Sequence, residues 1–220
     1  MNLSASETFR SIFELWKKTY ISLLPLTVLV TLCLDSTAIF DSIILAILLC
    51  IPGLYLSNVI LLKLANVFRQ ELPRTEEEFY SLALKRFPDA LMLFLGLGGI
   101  FLLCFLLASS ILGFLFGLVV IMLLLLIYSY LIFAYPLVVI DGLDPVQSLK
   151  KSFHLINNHI GYITVIFLVI GLVEAIAYVI FYLIAGMAGA SLIYNLIFTT
   201  LNLVLSVVVL ESLKSKQLNK

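Results

Sequence analysis

Glu174 is the only acidic or basic residue deep inside one of the long apolar stretches of this sequence, about fifteen residues after the stretch begins. The stretch is long enough to cross a bilayer, where a charged group at the centre costs about 2.5–3.5 kcal/mol on insertion scales. The carboxyl group therefore stays protonated and hydrogen-bonded, or it faces a hydrated cavity. Two interpretations remain open: a site for a proton, a cation or a lipid headgroup, and a structural hydrogen bond that joins two helices.

A row of small polar residues in the next apolar stretch supplies candidate partners for this carboxyl group. Five of them recur at three- and four-residue spacing and so share one helix face: Ser191, Asn195, Thr199, Asn202 and Ser206. Such a face avoids lipid and packs against protein or lines a hydrated path. Tyr178 and Tyr182 lie one and two turns beyond Glu174 on the same face. The sequence predicts a candidate intramembrane polar site formed by Glu174, Tyr178, Asn195 and Asn202.

Other residue types that carry chemistry do not form a recognisable constellation. His154 and His159 are five residues apart, and no Cys or Asp completes a ligand set, so we expect no metal site. The three cysteines lie inside or at the ends of apolar stretches, where they are expected to pack as small hydrophobic residues. The sequence contains no phosphate-binding glycine loop, nucleophile elbow or zinc-protease signature. It therefore predicts a protein that is not an enzyme and binds no cofactor.

The composition decides the class of protein that must position these residues. Of 220 residues, 63% are hydrophobic and only 12% are charged, which leaves too little polar surface to cover a soluble domain. About twenty apolar residues cross a hydrocarbon core roughly 30 Å thick. The continuous apolar runs indicate helices, because strands of a membrane barrel alternate in polarity. We predict one all-α integral membrane domain over residues 1–220, with six spans near 19–38, 42–66, 88–108, 111–138, 160–186 and 190–212.

The positions of the basic residues predict the orientation. With six spans, all thirteen Lys and Arg residues fall on one side of the membrane, and the three turns on the other side contain none. Lys and Arg are retained in the cytoplasm, so both termini are expected there. The first eighteen residues are not expected to be a secretory signal, and a bacterial inner membrane is the expected location. Attraction to anionic lipid makes six residues candidate headgroup contacts: Lys17, Lys18, Lys85, Arg86, Lys150 and Lys151.

Three segments have the sequence of a capped helix start, with Ser, Thr or Asp at the cap and Glu or Gln three residues later. They are Ser4 to Glu7, Thr75 to Glu78 and Asp144 to Gln147, at intervals of 71 and 69 residues. Each is followed by an amphipathic segment that we expect to lie in the headgroup region, and the middle one is expected to end at Pro88. The apolar face predicted for the third segment comprises Val146, Leu149, Phe153, Ile156 and Ile160.

The ends of the even-numbered spans also recur at a spacing of seventy residues. Glu71, Asp141 and Glu211 occupy equivalent positions there and are expected to pair with the six candidate headgroup contacts or to cap nearby helix starts. Each repeat then consists of an interfacial helix, a span, a short turn and a second span. The predicted repeats are residues 1–71, 72–141 and 142–213, followed by a cytoplasmic tail over residues 214–220.

Residues 131–175 contain a more specific pattern. A span that ends in Pro and apolar residues is followed by an acidic position and by a short amphipathic helix with a basic-Ser-aromatic core. The matching residues are Pro136, Asp141, Lys150, Lys151, Ser152, Phe153 and Leu155. In this respect the C-terminal half resembles the YciC-type bacterial inner-membrane proteins and the related membrane domain attached to some glycerophosphodiesterases. The N-terminal half resembles them in topology only. The resemblance implies a fold and an inner-membrane location, and no phosphodiesterase activity is carried over.

These observations favour a non-enzymatic inner-membrane protein that serves envelope or lipid organisation through contacts with lipids or a partner. The expected partners are membrane lipids, anionic ones in particular, and a protein partner or a further copy of the chain; nucleic acid is not expected. The alternative is a small transporter or lipid carrier that uses Glu174 and the polar face of the sixth span.

Overall fold

The structure, a computed structural model, describes residues 4–34, 43–72, 74–111 and 132–218. All regular structure in these residues is helical, which confirms the all-α prediction. The six helices are α1 (Ala5–Leu34), α2 (Ile43–Arg69), α3 (Glu76–Ile111), α4 (Ala134–Asp141), α5 (Pro145–Asn157) and α6 (Ile160–Leu218).

Reciprocal hydrogen bonds cap the starts of α1 and α3. The Ser4 amide donates to Glu7 Oε2 at 2.6 Å, and the Glu7 amide donates to Ser4 Oγ at 3.3 Å. Thr75 and Glu78 repeat the arrangement at 2.8 Å and 3.3 Å. The hydrogen bond from the Ser4 amide lowers the pKa of the Glu7 carboxyl, because it stabilises the ionised form. The predicted capping boxes at both helix starts are confirmed.

The chain enters α5 through a different cap. Asp144 Oδ1 accepts a hydrogen bond from the Gln147 amide at 2.9 Å, and Pro145 occupies the first turn, where its missing N–H costs nothing. Before it, α4 ends at Gly142 in the left-handed conformation (φ +68°). The third predicted helix start is therefore confirmed as well.

The prediction that the middle amphipathic segment ends at Pro88 is wrong. The helix α3 continues through Pro88 to Ile111, and α1 likewise runs from its cap into the apolar stretch without a break. Proline removes one backbone hydrogen bond, but a break in apolar surroundings would leave several backbone groups without partners, so the helix persists. Only the third amphipathic segment is separate, because a turn at Asn158 and His159 divides α5 from α6.

The helix α6 consists of two arms that meet at Gly186, whose backbone (φ +68°, ψ −177°) is not helical. We call Ile160–Gly186 the first arm and Gly189–Ser215 the second arm. The arms are antiparallel: Tyr194, near the start of the second arm, bonds Glu174 in the middle of the first, while Ser212, near the end of the second arm, interacts with Tyr162 at the start of the first.

Within the described residues, three helical segments are long and apolar enough to cross a membrane. They are Leu48–Arg69 of α2, the first arm and the second arm, with mean hydropathy values of 1.8, 2.6 and 2.1. The chain is therefore a membrane protein. The span predicted at 19–38 lies partly in α1, the one at 88–108 lies in α3, and most of the one at 111–138 falls outside the described residues. The six-span count and the threefold repeat remain predictions.

The described chain divides into two compact units. The first contains residues 1–84 and 159–220, and there α1 packs against α2 and α6. The face of α1 buried in this unit alternates apolar and hydroxyl side chains at helical spacing: Thr8, Ile12, Leu15, Thr19, Leu23, Thr27 and Val30. Thr8 Oγ1 and the Tyr162 hydroxyl are hydrogen-bonded, which joins the start of α1 to the start of the first arm.

A buried pair of threonines joins α1 to the second arm. Thr27 Oγ1 and Thr200 Oγ1 are 2.6 Å apart, and neither residue is exposed. Thr27 Oγ1 also lies 3.0 Å from the carbonyl oxygen of Leu23, to which it donates, so the Thr200 hydroxyl is the donor within the pair. Hydroxyl pairs of this kind hold helices together where no water competes.

We expect Thr27→Val and Thr200→Val each to destabilise the first unit by about 1 kcal/mol, because one hydroxyl is left without its partner. The double variant should cost less than the sum, with a coupling of about 0.6 kcal/mol, as is typical between membrane helices. Unfolding in mixed micelles measures all three. Thr19→Val is the matched control: Thr19 bonds the Leu15 carbonyl of its own helix, so its effect should add to that of Thr200→Val without coupling.

The second unit contains residues 85–158, in which α4 packs against α5. Apart from Tyr135 and Asp141, every residue of α4 is buried. The helix α5 buries Ser148, Ser152, Leu155 and Ile156. Of the apolar face predicted for this segment, Ile156 is buried, but Val146 and Phe153 are 59% and 53% exposed. The buried face of α5 therefore contains the two serines in place of Val146 and Phe153, and these two apolar side chains are exposed.

Candidate functional site

The two arms of α6 bring a carboxyl group and a phenol together. The Tyr194 hydroxyl donates a hydrogen bond to Glu174 Oε2 at 3.0 Å. The Tyr178 ring meets the Tyr194 ring edge-on, with centroids 5.6 Å apart and planes at 83°, and Tyr194 stacks on Phe198 at 4.9 Å. These ring contacts limit the rotation of Tyr194 and direct its hydroxyl at the carboxyl group. We call this set the seam site and define it by Glu174, Tyr178, Tyr194 and Asn202.

The second carboxyl oxygen has a different environment. Glu174 Oε1 is buried and has no hydrogen-bond partner among the described residues. The Asn202 side chain, two turns along the second arm from Tyr194, is close enough to interact with the carboxyl group. A neutral carboxylic acid offers one donor and one acceptor, and the side-chain amide can accept from it. The seam site therefore has complementary partners for a protonated Glu174.

Basic residues are missing from the surroundings of the seam site. Neither arm carries Lys, Arg or His between Ile160 and Leu213. The described apolar parts of α1 and α2, residues 19–34 and 43–62, carry no charged residue at all. An ionised Glu174 would have no counter-ion on the two arms between Ile160 and Leu213 or on the described apolar parts of α1 and α2.

The structure brings together three of the four residues predicted for this site. Asn202 is close enough to interact with Glu174, and Tyr178 contacts Tyr194, which is hydrogen-bonded to Glu174. Asn195 follows Tyr194 in the second arm and is half-buried. Tyr194 is not among the residues predicted for the site, because an aromatic residue in an apolar stretch is difficult to distinguish by sequence from the apolar residues around it. Tyr194 is four residues before Phe198 and eight before Asn202, so all three lie on one helix face. This spacing is the sequence feature that could have identified Tyr194 as a site residue.

A second polar cluster links the ends of α2 and the second arm. Arg69 lies 2.7 Å from Glu211 and 3.5 Å from Glu71, while Arg74 pairs with Glu71 at 2.9 Å and Lys214 with Glu211 at 2.8 Å. In the second unit, Asp141 pairs with Lys151 at 3.3 Å. Of the three recurring acidic residues, Asp141 pairs with one of the six bases that were expected as partners, whereas Glu71 and Glu211 pair with Arg69, Arg74 and Lys214 instead.

Arg86 has a structural role within the second unit. Its Nη1 atom donates to the carbonyl oxygens of Val139 and Ile140, the latter at 2.7 Å. These are among the last carbonyls of α4, which have no partner within that helix. The guanidinium group also lies beside Gly142, where a Cβ atom would come within 3.3 Å of it. Arg86 therefore caps the C-terminus of α4.

The structure divides the six predicted headgroup contacts into two groups. Arg86 and Lys151 are engaged by the α4 carbonyls and by Asp141. Lys17, Lys18, Lys85 and Lys150 are exposed, and no acidic side chain of the described residues pairs with them. We call these four the free lysines.

No metal-binding cluster is found in the part of the chain that the structure describes: no three His, Cys, Asp or Glu residues come together there. His154 Nε2 and Asn158 Nδ2 are 3.1 Å apart on the exposed side of α5. The fold and the seam site together define an all-helical integral membrane protein that holds a carboxyl group within a helix hairpin. No family model, no curated protein and no solved structure matches the chain.

Proposed function

We propose that this chain is a multi-pass protein of the bacterial inner membrane, with both termini in the cytoplasm, that organises anionic lipid without catalysing a reaction. The free lysines are the observation that carries the proposal. The other basic residues whose side chains the structure describes are engaged in ion pairs or in the α4 cap. A lysine near an anionic membrane surface contributes about 1 kcal/mol of attraction, which a partner carboxylate would cancel.

The placement of the free lysines supports the same function. Lys17 and Lys18 in α1, Lys85 in α3 and Lys150 in α5 each follow a capped helix start within one to four turns. In the predicted topology all four lie at the cytoplasmic headgroup level, and in α5 the exposed Val146 and Phe153 can enter the acyl region. The resemblance of residues 131–175 to the YciC-type proteins implies the same membrane.

Replacing the four free lysines with glutamine is expected to lower the share of anionic lipid that co-purifies with the protein. At about 1 kcal/mol for each lysine, the enrichment of phosphatidylglycerol and cardiolipin over phosphatidylethanolamine should fall several-fold. The measurement is lipid mass spectrometry of the protein extracted in polymer nanodiscs, compared with the bulk membrane. High salt during exchange with anionic lipid should also lower the enrichment of anionic lipid by the wild-type protein, because salt screens the lysine charges.

Two controls separate charge from folding. A variant with arginine at the four positions keeps the charge and should keep the enrichment. Arg10→Gln removes a cation that Glu14 already neutralises at 2.7 Å, so it should have little effect. Equal enrichment in the wild type and the glutamine variant would contradict the proposal.

The seam site favours a second candidate, a small transporter or lipid carrier. Glu174 lies half-way along an apolar arm, and its Oε1 atom has no hydrogen-bond partner among the described residues. Lipid organisation at the membrane surface does not require a carboxyl group at this depth. Native mass spectrometry of wild type and Glu174→Gln distinguishes the two. A stoichiometric bound species lost only in Glu174→Gln supports the carrier, and unselective lipid adducts in both count against it.

A further inference from the structure

Glu174 lies half-way along the first arm, with about 20 Å of helix on either side by the usual rise of 1.5 Å per residue. A carboxylate at this depth needs a counter-ion or water, and the described helices of its unit supply no basic group near it. The seam site instead offers one donor, the Tyr194 hydroxyl, and one side-chain amide, that of Asn202.

We propose that Glu174 is a proton-binding site at membrane depth, which carries a proton on Oε1 at neutral pH and is reached from the lipid phase. In this state Oε2 accepts from Tyr194, and the Oε1 hydroxyl donates to the Asn202 side chain. Both oxygens of the carboxyl group then have a partner, whereas an ionised Glu174 would leave Oε1 with a buried charge. This inference rests on the seam site and is independent of the lipid function of the free lysines.

Glu174 is the acid of this site, and the other titratable groups described around it are tyrosines and cysteines. Tyr194 on the second arm bonds the Glu174 carboxyl group, and Tyr178 on the same arm as Glu174 contacts the Tyr194 ring. The described apolar parts of α1 and α2 add only tyrosines and cysteines: Tyr20, Cys33, Cys50 and Tyr55. None of these supplies a positive charge, so a proton is the ligand that neutralises Glu174.

The exposure of the first arm indicates the route. Only 17% of its most apolar window is buried, compared with 50% for α2 and 47% for the second arm. Tyr178 and Tyr182, one and two turns beyond Glu174, are 37% and 51% exposed. Glu174 itself is half-buried, so acyl chains and small apolar molecules dissolved among them can approach the carboxyl group along this face.

Carbodiimide labelling tests the proposal, because the reaction needs the protonated acid. The acid gives its proton to a carbodiimide nitrogen, and the carboxylate oxygen adds to the carbodiimide carbon. The resulting O-acylisourea rearranges by an acyl shift to a stable N-acylurea that contains the whole reagent. Membranes that hold the full chain are treated at pH 7 with dicyclohexylcarbodiimide, which partitions into lipid, or with a water-soluble carbodiimide. Peptide mass spectrometry then locates the adducts. We expect about tenfold or more adduct on Glu174 from the lipid-soluble reagent than from the soluble one, since the acid lies in the apolar core. The yield should fall as the pH is raised.

Glu77, an exposed residue in the first turn of α3, is the internal control and should show the opposite preference. Glu174→Gln should lose the adduct at position 174 while labelling of Glu77 is unchanged. Two results would overturn the proposal in protein that remains folded by circular dichroism. One is the absence of a lipid-soluble adduct on Glu174 at pH 7, and the other is equal labelling of Glu174 by both reagents.

Discussion

Arg86→Ala is expected to lower the free energy of unfolding of the second unit by about 2–4 kcal/mol, through the loss of two charge-assisted hydrogen bonds. The guanidinium group donates to the carbonyl oxygens of Val139 and Ile140, and both residues are buried. Once the arginine side chain is removed, these carbonyls have no donor and little access to water. Unfolding followed by circular dichroism in mixed micelles measures the loss.

Lys85→Ala is the matched control for this variant, because it removes a neighbouring cation that is exposed and unpaired. Surface substitutions of this kind change stability by about 0.5 kcal/mol or less. Arg86→Lys should recover only part of the loss, since a compact ammonium group on a shorter side chain does not reproduce the planar guanidinium group whose Nη1 atom donates to both carbonyls. Equal stability of Arg86→Ala and Lys85→Ala would show that Arg86 does not cap α4 and would return it to the candidate headgroup contacts.

Gly186→Ala is expected to destabilise the hairpin of α6 by about 1–3 kcal/mol. The backbone at Gly186 (φ +68°, ψ −177°) lies in a region that is accessible almost only to glycine. A Cβ atom there would meet no other atom within 4 Å, so backbone strain is the sole cause of the expected loss. Thermal unfolding in detergent measures it.

Gly171→Ala supplies the comparison for the hairpin variant. Gly171 lies inside the first arm with helical geometry and also has open space around its Cβ position, so alanine should be neutral or should stabilise by up to about 1 kcal/mol. If the two alanine variants are equally stable, the turn at Gly186 does not hold the arms together. A hairpin that opens in Gly186→Ala should also separate Tyr194 from Glu174 and change carbodiimide labelling at that carboxyl group.

Local patterns were sufficient to predict several elements before the structure. The three helix starts at Ser4, Thr75 and Asp144 were predicted from side chains that bond amides within three residues, and the hydrogen bonds are present. Capping depends on sequence neighbours alone, so no tertiary information is needed. The same locality explains the error at Pro88, where propensity predicted a helix end and apolar surroundings preserved the helix.

Local patterns do not predict which basic residues are engaged by other groups and which remain exposed. Lys85 and Arg86 are adjacent in the chain and equally basic, yet one is exposed and the other caps a helix that begins nearly fifty residues later. Likewise Lys150 is free while Lys151 pairs with Asp141. Which neighbour is engaged depends on the direction of each side chain from its helix and on what packs there.

Composition and the continuity of the apolar stretches by themselves predicted a helical membrane protein, because a stretch that is apolar throughout, unlike an alternating barrel strand, satisfies its backbone in lipid as a helix. They also determined that Glu174 needs a partner. Only the tertiary structure decided that the two arms of α6 are in contact and that Tyr194 is that partner. Apolar surface attracts any other apolar surface, so it does not specify which helices meet. The turn at Gly186 and the directional hydrogen bond between Tyr194 and Glu174 make that choice.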